Sequence, residues 1–162
     1  MIDPQHFRLR VIRPSLKRIG LHSRAAEVLL LGTAITESRL SALVQKSGGP
    51  ALGVYQIEPA THADIWRNYL AYRPVLAARV LTLAAGGLGR PGQLIWNLAY
   101  ATAMARLVYR RRPEPLPPAA DIPALAAYWK AHFNTVAGKG TAAKFIKRAG
   151  PYLRDGERRR LP

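Results

Sequence analysis

Apolar positions in this chain recur mostly at the three-to-four-residue spacing of helices, and strand-like alternation is scarce. Asp3-Pro4 reads as an N-cap and first-turn proline, opening a helix that Pro14 is expected to end or kink. Ser23 is placed to cap a long apolar helix from about residue 24 to residue 46, stopped by Ser47-Gly48-Gly49-Pro50. Pro59 fits the first turn of a helix through Trp66 and Tyr69, and Pro74 begins another that runs to Ala85 and closes at Gly86-Gly87. A further helix is expected from Gln93 to about Arg111. The run Pro113-Glu114-Pro115-Leu116-Pro117-Pro118 then reads as an extended connector. Helices over 122–133 and 141–148 complete the pattern, with a loosely ordered basic tail from Gly150. The fold class expected is mostly α, one domain across residues 1–162 with its core over about 20–150.

Length and composition agree with that picture. A chain of 162 residues that is 49% hydrophobic can bury one sizeable core. No apolar run approaches the roughly 18–20 residues that a membrane-spanning helix needs. The first residues lack an apolar h-region, so no secretory signal peptide is expected. With no cysteine there are no disulfides or thiolate metal sites, and His6, His22, His62 and His132 show no ligand spacing. Neither a metal nor another cofactor is expected. Charge adds most: Lys+Arg 25 against Asp+Glu 9 gives a formal +16, which predicts attraction to a polyanion. Nucleic acid, an anionic membrane surface and an anionic cell wall all qualify.

One carboxylate stands out against this basic background. On a continuous helix Glu37 shares its face with Ala26, Leu30, Thr33, Ala34, Leu40, Ser41 and Val44, whereas Arg24, Arg39 and Lys46 fall opposite. Such a carboxyl faces the core or a cleft cut into it, and burial should raise its pKa. An acid still protonated near neutrality suits protonation of a glycosidic oxygen. The alternative is a half-buried ion-pair partner for one of the many arginines.

The surrounding residues carry a resemblance. Thr36-Glu37-Ser38 resembles the Glu-Ser motif of the lytic transglycosylase and goose-type lysozyme families, whose glutamate is the catalytic acid. Gly53-Val54-Tyr55-Gln56-Ile57, continuing through Glu58-Pro59-Ala60-Thr61, is similar to their Gly-Leu-Met-Gln-Ile-Met-Pro-Ala-Thr block. Asn97-Leu98 with Thr102-Ala103 resembles their Asn-Ile…Thr-Ala helix. Phe133-Asn134 followed by Gly138 and Gly140 resembles their Tyr-Asn and glycine motif. The wider pattern looks most like small phage-encoded endolysins or virion-associated lysins.

The resemblance implies a lysozyme-like helical domain that cleaves the β-1,4 bond between N-acetylmuramic acid and N-acetylglucosamine in peptidoglycan, with Glu37 as acid and then base. A single carboxylate suffices if the C6 hydroxyl closes on C1 to give a 1,6-anhydro sugar, whereas a hydrolytic muramidase calls for a second. Glu58 is the candidate for that role, against a reading as a substrate-side or structural group, with Asp64 on the next helix behind it. Substrate-binding candidates are Ser38, Tyr55, Gln56, Tyr128 and Asn134. Tyr55 would stack on a sugar ring, and Tyr128 would supply the hydroxyl that Phe133 lacks. Ser38 either orients Glu37 or bonds the preceding turn. Gln56 either donates to an N-acetyl carbonyl or caps a turn, and Asn134 either binds sugar or satisfies backbone near Gly138. Trp66, Trp96 and Trp129 are assigned to packing, with sugar platforms as the alternative.

The expected partners are peptidoglycan strands and anionic outer-membrane lipopolysaccharide, met by a monomer. It would be made in a host cytoplasm to act on the periplasmic wall, or be carried in a virion. Arg110-Arg111-Arg112 and Arg158-Arg159-Arg160 would hold it on anionic surfaces. The segment 141–160, with Lys144, Lys147 and Arg148 around Phe145 and Ile146, is a weak amphipathic pattern that suggests membrane permeabilisation. The rival class is a nucleic-acid-binding module, which rests on charge alone. No nucleic-acid motif accompanies that charge, so specific binding is not expected.

Overall fold

The computed structural model describes residues 1–134 and 138–154. Among them the chain is mostly helical and forms one domain, with no strand beyond two isolated bridges, Val44 to Leu52 and Leu52 to Ile57. No helix of the described residues is long and apolar enough to cross a membrane.

Asp3 caps α1 (Pro4–Phe7), its carboxylate accepting from His6 N–H at 2.9 Å. Pro14 neither ends nor breaks the helical path of the chain. After α1 the backbone widens into a π-helical turn (Arg8–Ile12), in which Arg13 N–H reaches Arg8 O, and continues as α2 (Arg13–Ile19). Pro14 has no N–H to donate one turn back, and the wider turn absorbs that missing bond.

The centre of the molecule is α3 (Arg24–Ser38), capped by Ser23, whose Oγ accepts from Ala26 N–H at 3.0 Å. Every residue from Ala26 to Thr36 is buried, as expected of a helix that is apolar on all sides. Against it lie α7 (Leu98–Arg110), α8 (Ile122–Trp129) and α9 (Ala142–Arg154). The closest approach is between α3 and α9. A Cβ on Gly32 would stand 2.2 Å from Phe145 Cζ, so the bare glycine makes the socket for that ring. On the α7 side the Thr33 and Tyr109 hydroxyls bond at 2.7 Å.

Residues 39–46 do not continue α3 as expected. The helix stops at Ser38, with Arg39 and Leu40 in the left-handed region at φ 54° and 51°. Ser38 Oγ lies 2.7 Å from Val54 O and 3.1 Å from Ala34 O, which ties the helix end to a later loop. The chain then folds back through Gly53 N–H to Leu43 O, Gln45 N–H to Ala51 O and the reciprocal Leu52–Ile57 pair. Ser41 and Val44 therefore do not extend the Glu37 face of a helix, and Val44 is exposed. Gly53 permits the fold-back, because its φ is +72° and a Cβ there would sit 1.8 Å from Leu94 O.

The remaining helices follow their caps. Pro59 opens α4 (Pro59–Asn68), and α5 (Pro74–Leu81) stops short of the expected Ala85. The helix expected from Gln93 is two, α6 (Gln93–Trp96) and α7. Between them Asn97 Oδ1 caps Tyr100 N–H at 3.1 Å and its Nδ2 donates to Leu83 O at 2.8 Å. Trp66 Nε1–H donates to the Tyr100 hydroxyl at 2.9 Å, and an indole can only donate. The hydroxyl in turn serves His62 Nε2 at 2.7 Å, an imidazole whose pKa burial lowers. α8 gives way to a π-helical turn (Lys130–Asn134). α9 runs through Pro151 to Arg154, so residues 150–154 are helical and not a loose tail, while Arg158-Arg159-Arg160 lies outside the described residues.

Candidate active site

Two carboxylates occupy α3, about 15 Å apart along its axis by the rise of a helix, and their surroundings differ. Glu27 is buried among cations. Arg8 Nε donates to it at 3.0 Å, Arg13 Nε at 2.7 Å and Arg13 Nη2 at 3.1 Å, with His22 Nε2 at 2.6 Å. Burial alone would raise its pKa, but the bonds from Arg13 and His22 outweigh it and hold the carboxyl below the usual range. This is a structural ion cluster joining the π-helical turn and α2 to α3.

Glu37, one residue before the helix ends, has no cation in hydrogen-bond contact among the described residues. Its Oε1 accepts from Trp129 Nε1–H at 3.1 Å. Burial pushes the Glu37 carboxyl up to about 7, against the opposing pull of that indole bond and of the Lys144 and Arg148 charges. The carbonyl oxygen of a neutral carboxyl is its better acceptor, so the indole bond favours Oε1 as that oxygen and Oε2 as the seat of the proton.

Glu37 lines a cleft of about 870 Å³ whose walls include Ser38, Gln56, Glu58, Phe133 and Asn134. Arg39, Lys46, Lys139, Lys144 and Arg148 stand around the same space, so among the described residues its charged groups apart from Glu37 and Glu58 are cationic. Three of the four motif segments meet here. The fourth, Asn97 to Ala103, lies behind the cleft, where Thr102 Oγ1 bonds the Tyr55 hydroxyl at 3.1 Å.

No family model, curated protein or solved structure matches this chain. Its chemistry has to be read from the side chains themselves.

Several sequence-predicted roles change on this geometry. Tyr55 is buried at 1% exposure, packs near Phe7 and does not line the cleft, so it offers no face for a sugar ring. Tyr128 is turned away: its hydroxyl donates to Glu114 O at 2.8 Å and its ring stacks on Tyr109. Tyr128 therefore does not replace the hydroxyl absent from Phe133. Ser38 bonds backbone and not Glu37, which settles its two readings in favour of the helix end. Asp64 is held by Arg111 and Asn68 and is no member of the cleft.

Gln56 and Asn134 have both positions at once. Gln56, in the left-handed region at φ 50°, uses Nε2 to cap Gly53 O at 2.9 Å while lining the cleft. Asn134 Oδ1 accepts from Lys130 Nζ at 3.0 Å and Gly140 N–H at 3.1 Å, fastening the glycine segment beside the acid. Glu58 is exposed on the cleft wall at the start of α4.

Of the tryptophans, Trp66 and Trp129 pack in the interior as expected, but Trp96 is 61% exposed and belongs to neither core nor cleft. Phe145 is fully buried against α3, so the main apolar residue proposed to make α9 membrane-active is committed to the core. Sequence alone did not show Trp129 as the hydrogen-bond donor to Glu37, nor Lys144 and Arg148 as charges that pull its pKa down. A separation of 92 residues hides the first, and the amphipathic pattern of α9 is the one signal for the second.

Proposed function

We propose that the protein cleaves the β-1,4 bond between N-acetylmuramic acid and N-acetylglucosamine in bacterial peptidoglycan, as a phage-type lytic transglycosylase acting as an endolysin or virion-associated lysin. The observation that carries this reading is a carboxyl held protonated to about pH 7 on the wall of a large cleft. The ordered motifs around Glu37 supply the substrate class by resemblance. In this reading Oε2 gives its proton to the glycosidic oxygen while positive charge develops at C1 of the muramyl unit. The carboxylate left behind is stabilised by Trp129 Nε1–H and by the Lys144 and Arg148 charges, the groups that already favour its ionised form. It then takes the C6 hydroxyl proton as that oxygen closes on C1.

Glu58 on the same cleft wall favours a second reading, hydrolysis with Glu58 activating water. Three measurements test these. Glu37→Gln should abolish clearing of a peptidoglycan suspension while the chain stays folded, and retained clearing would reject the assignment. Mass spectrometry of the digest separates the outcomes, because an anhydro product is one water lighter than a hydrolysed one. Glu58→Gln should leave an anhydro-forming enzyme active and disable a hydrolytic one.

A further inference from the structure

A second cavity of about 650 Å³ adjoins the cleft and shares three of its residues, Arg39, Lys144 and Arg148. Lys147 adds a fourth cation, while Ile35, Ala143 and Tyr152 provide an apolar wall. Among the described residues no carboxylate lines this space, and none of the four cations is in an ion pair. Lys144, Lys147 and Arg148 are spaced i, i+3 and i+4 on α9, an arrangement in which like charges repel. Arg148 is held in place by one bond, Nη1 to Thr36 O at 2.8 Å, which leaves the rest of its guanidinium for another partner. An anion entering here would relieve the repulsion and meet a preorganised donor set.

We infer that this cavity is a subsite for a carboxylate-bearing peptide with short aliphatic side chains, the peptide branch of the glycan. The assignment to the substrate rests on the glycosidase reading of the cleft. The muramyl residue carries its peptide on the same ring whose C1 the acid serves, so a branch subsite has to open off the cleft that holds the acid, as this cavity does through Arg39, Lys144 and Arg148. The apolar wall of Ile35, Ala143 and Tyr152 suits small alkyl groups better than the phosphates of a nucleic acid or a lipid headgroup.

The test titrates the Glu37→Gln protein with a free stem peptide, L-Ala-γ-D-Glu-diaminopimelate-D-Ala, by calorimetry. Binding is expected, weakened about three- to tenfold by the further change Lys147→Gln and reduced by salt. Failure of the peptide to bind, or binding of inorganic phosphate in its place, overturns the inference. In the active protein KM should be lower for peptide-bearing strands than for strands stripped by an amidase, and Lys147→Gln should move that ratio toward one. A structural defect would move both values together and leave the ratio unchanged, which also overturns the inference. Peptide binding by a protein that cleaves no glycan would uphold an acidic-peptide site while removing the glycosidase reading.

Discussion

Trp129 reaches across 92 residues of sequence to place its indole N–H 3.1 Å from Glu37 Oε1. The contact orients the acid and moderates its pKa without a formal charge. Trp129→Phe keeps an aromatic ring in the core and removes that donor, so the Glu37 pKa should rise further. Activity per folded molecule is expected to fall about tenfold or more, with the alkaline limb of the pH–rate profile shifted upward. A pH–rate series on purified variant and parent checks both effects.

Replacing the acid itself should change stability as well as activity. The folded-state pKa of Glu37 lies above its ordinary 4.5, at about 7. The native state therefore binds more protons than the unfolded chain between those values, and Glu37 costs stability as pH rises through them. Glu37→Gln removes that cost. Relative to the parent, the variant should gain up to about 3 kcal/mol on going from pH 4 to pH 8, read by urea unfolding at both pH values.

Glu27 carries the opposite sign. Its folded pKa is lowered, so its contribution is present above the ordinary 4.5 and is lost as pH falls through the folded value. Glu27→Gln leaves Arg8, 2% exposed, without its carboxylate, and should cost about 3–5 kcal/mol near neutral pH. The variant's stability should also fall less than the parent's toward acid. Thermal unfolding from pH 3 to pH 7 measures both.

Gly53→Ala should be strongly destabilising for its size. The new methyl group would meet Leu94 O at 1.8 Å, and the backbone is left-handed there. A loss of more than about 2 kcal/mol is expected. Activity should fall with it, because the same fold-back carries Gln56 and Glu58 to the cleft. Denaturant unfolding with parallel clearing assays tests the pair.

The caps at Asp3, Ser23, Asn97 and Asp121 make helix starts local, and most of those starts are legible in the sequence. Helix ends are less so. The stop at Ser38 depends on Val54 O, a tertiary partner sixteen residues on, and nothing near Arg39 announces it. The same division runs through the site. Glu37 stands out in sequence because a carboxylate interrupts an apolar run. Tyr55 lies inside a motif block and Tyr128 shortly before another, and yet they turn inward or away, since only tertiary packing decides which side of a loop or helix faces the cleft. Glu27, seated among Arg8, Arg13 and His22, shows that an acid on an apolar helix has two possible fates, decided by cations supplied from elsewhere in the chain.

The Phe145 ring seated over Gly32 has a mechanical consequence. A side chain lodged against bare backbone cannot slide along α3 without leaving its socket, so shape pins α9 in register beside the single Arg148 bond to Thr36 O. Raising the ionic strength should therefore loosen the hold on an anionic partner while leaving the spacing between Glu37 and the α9 cations where it was.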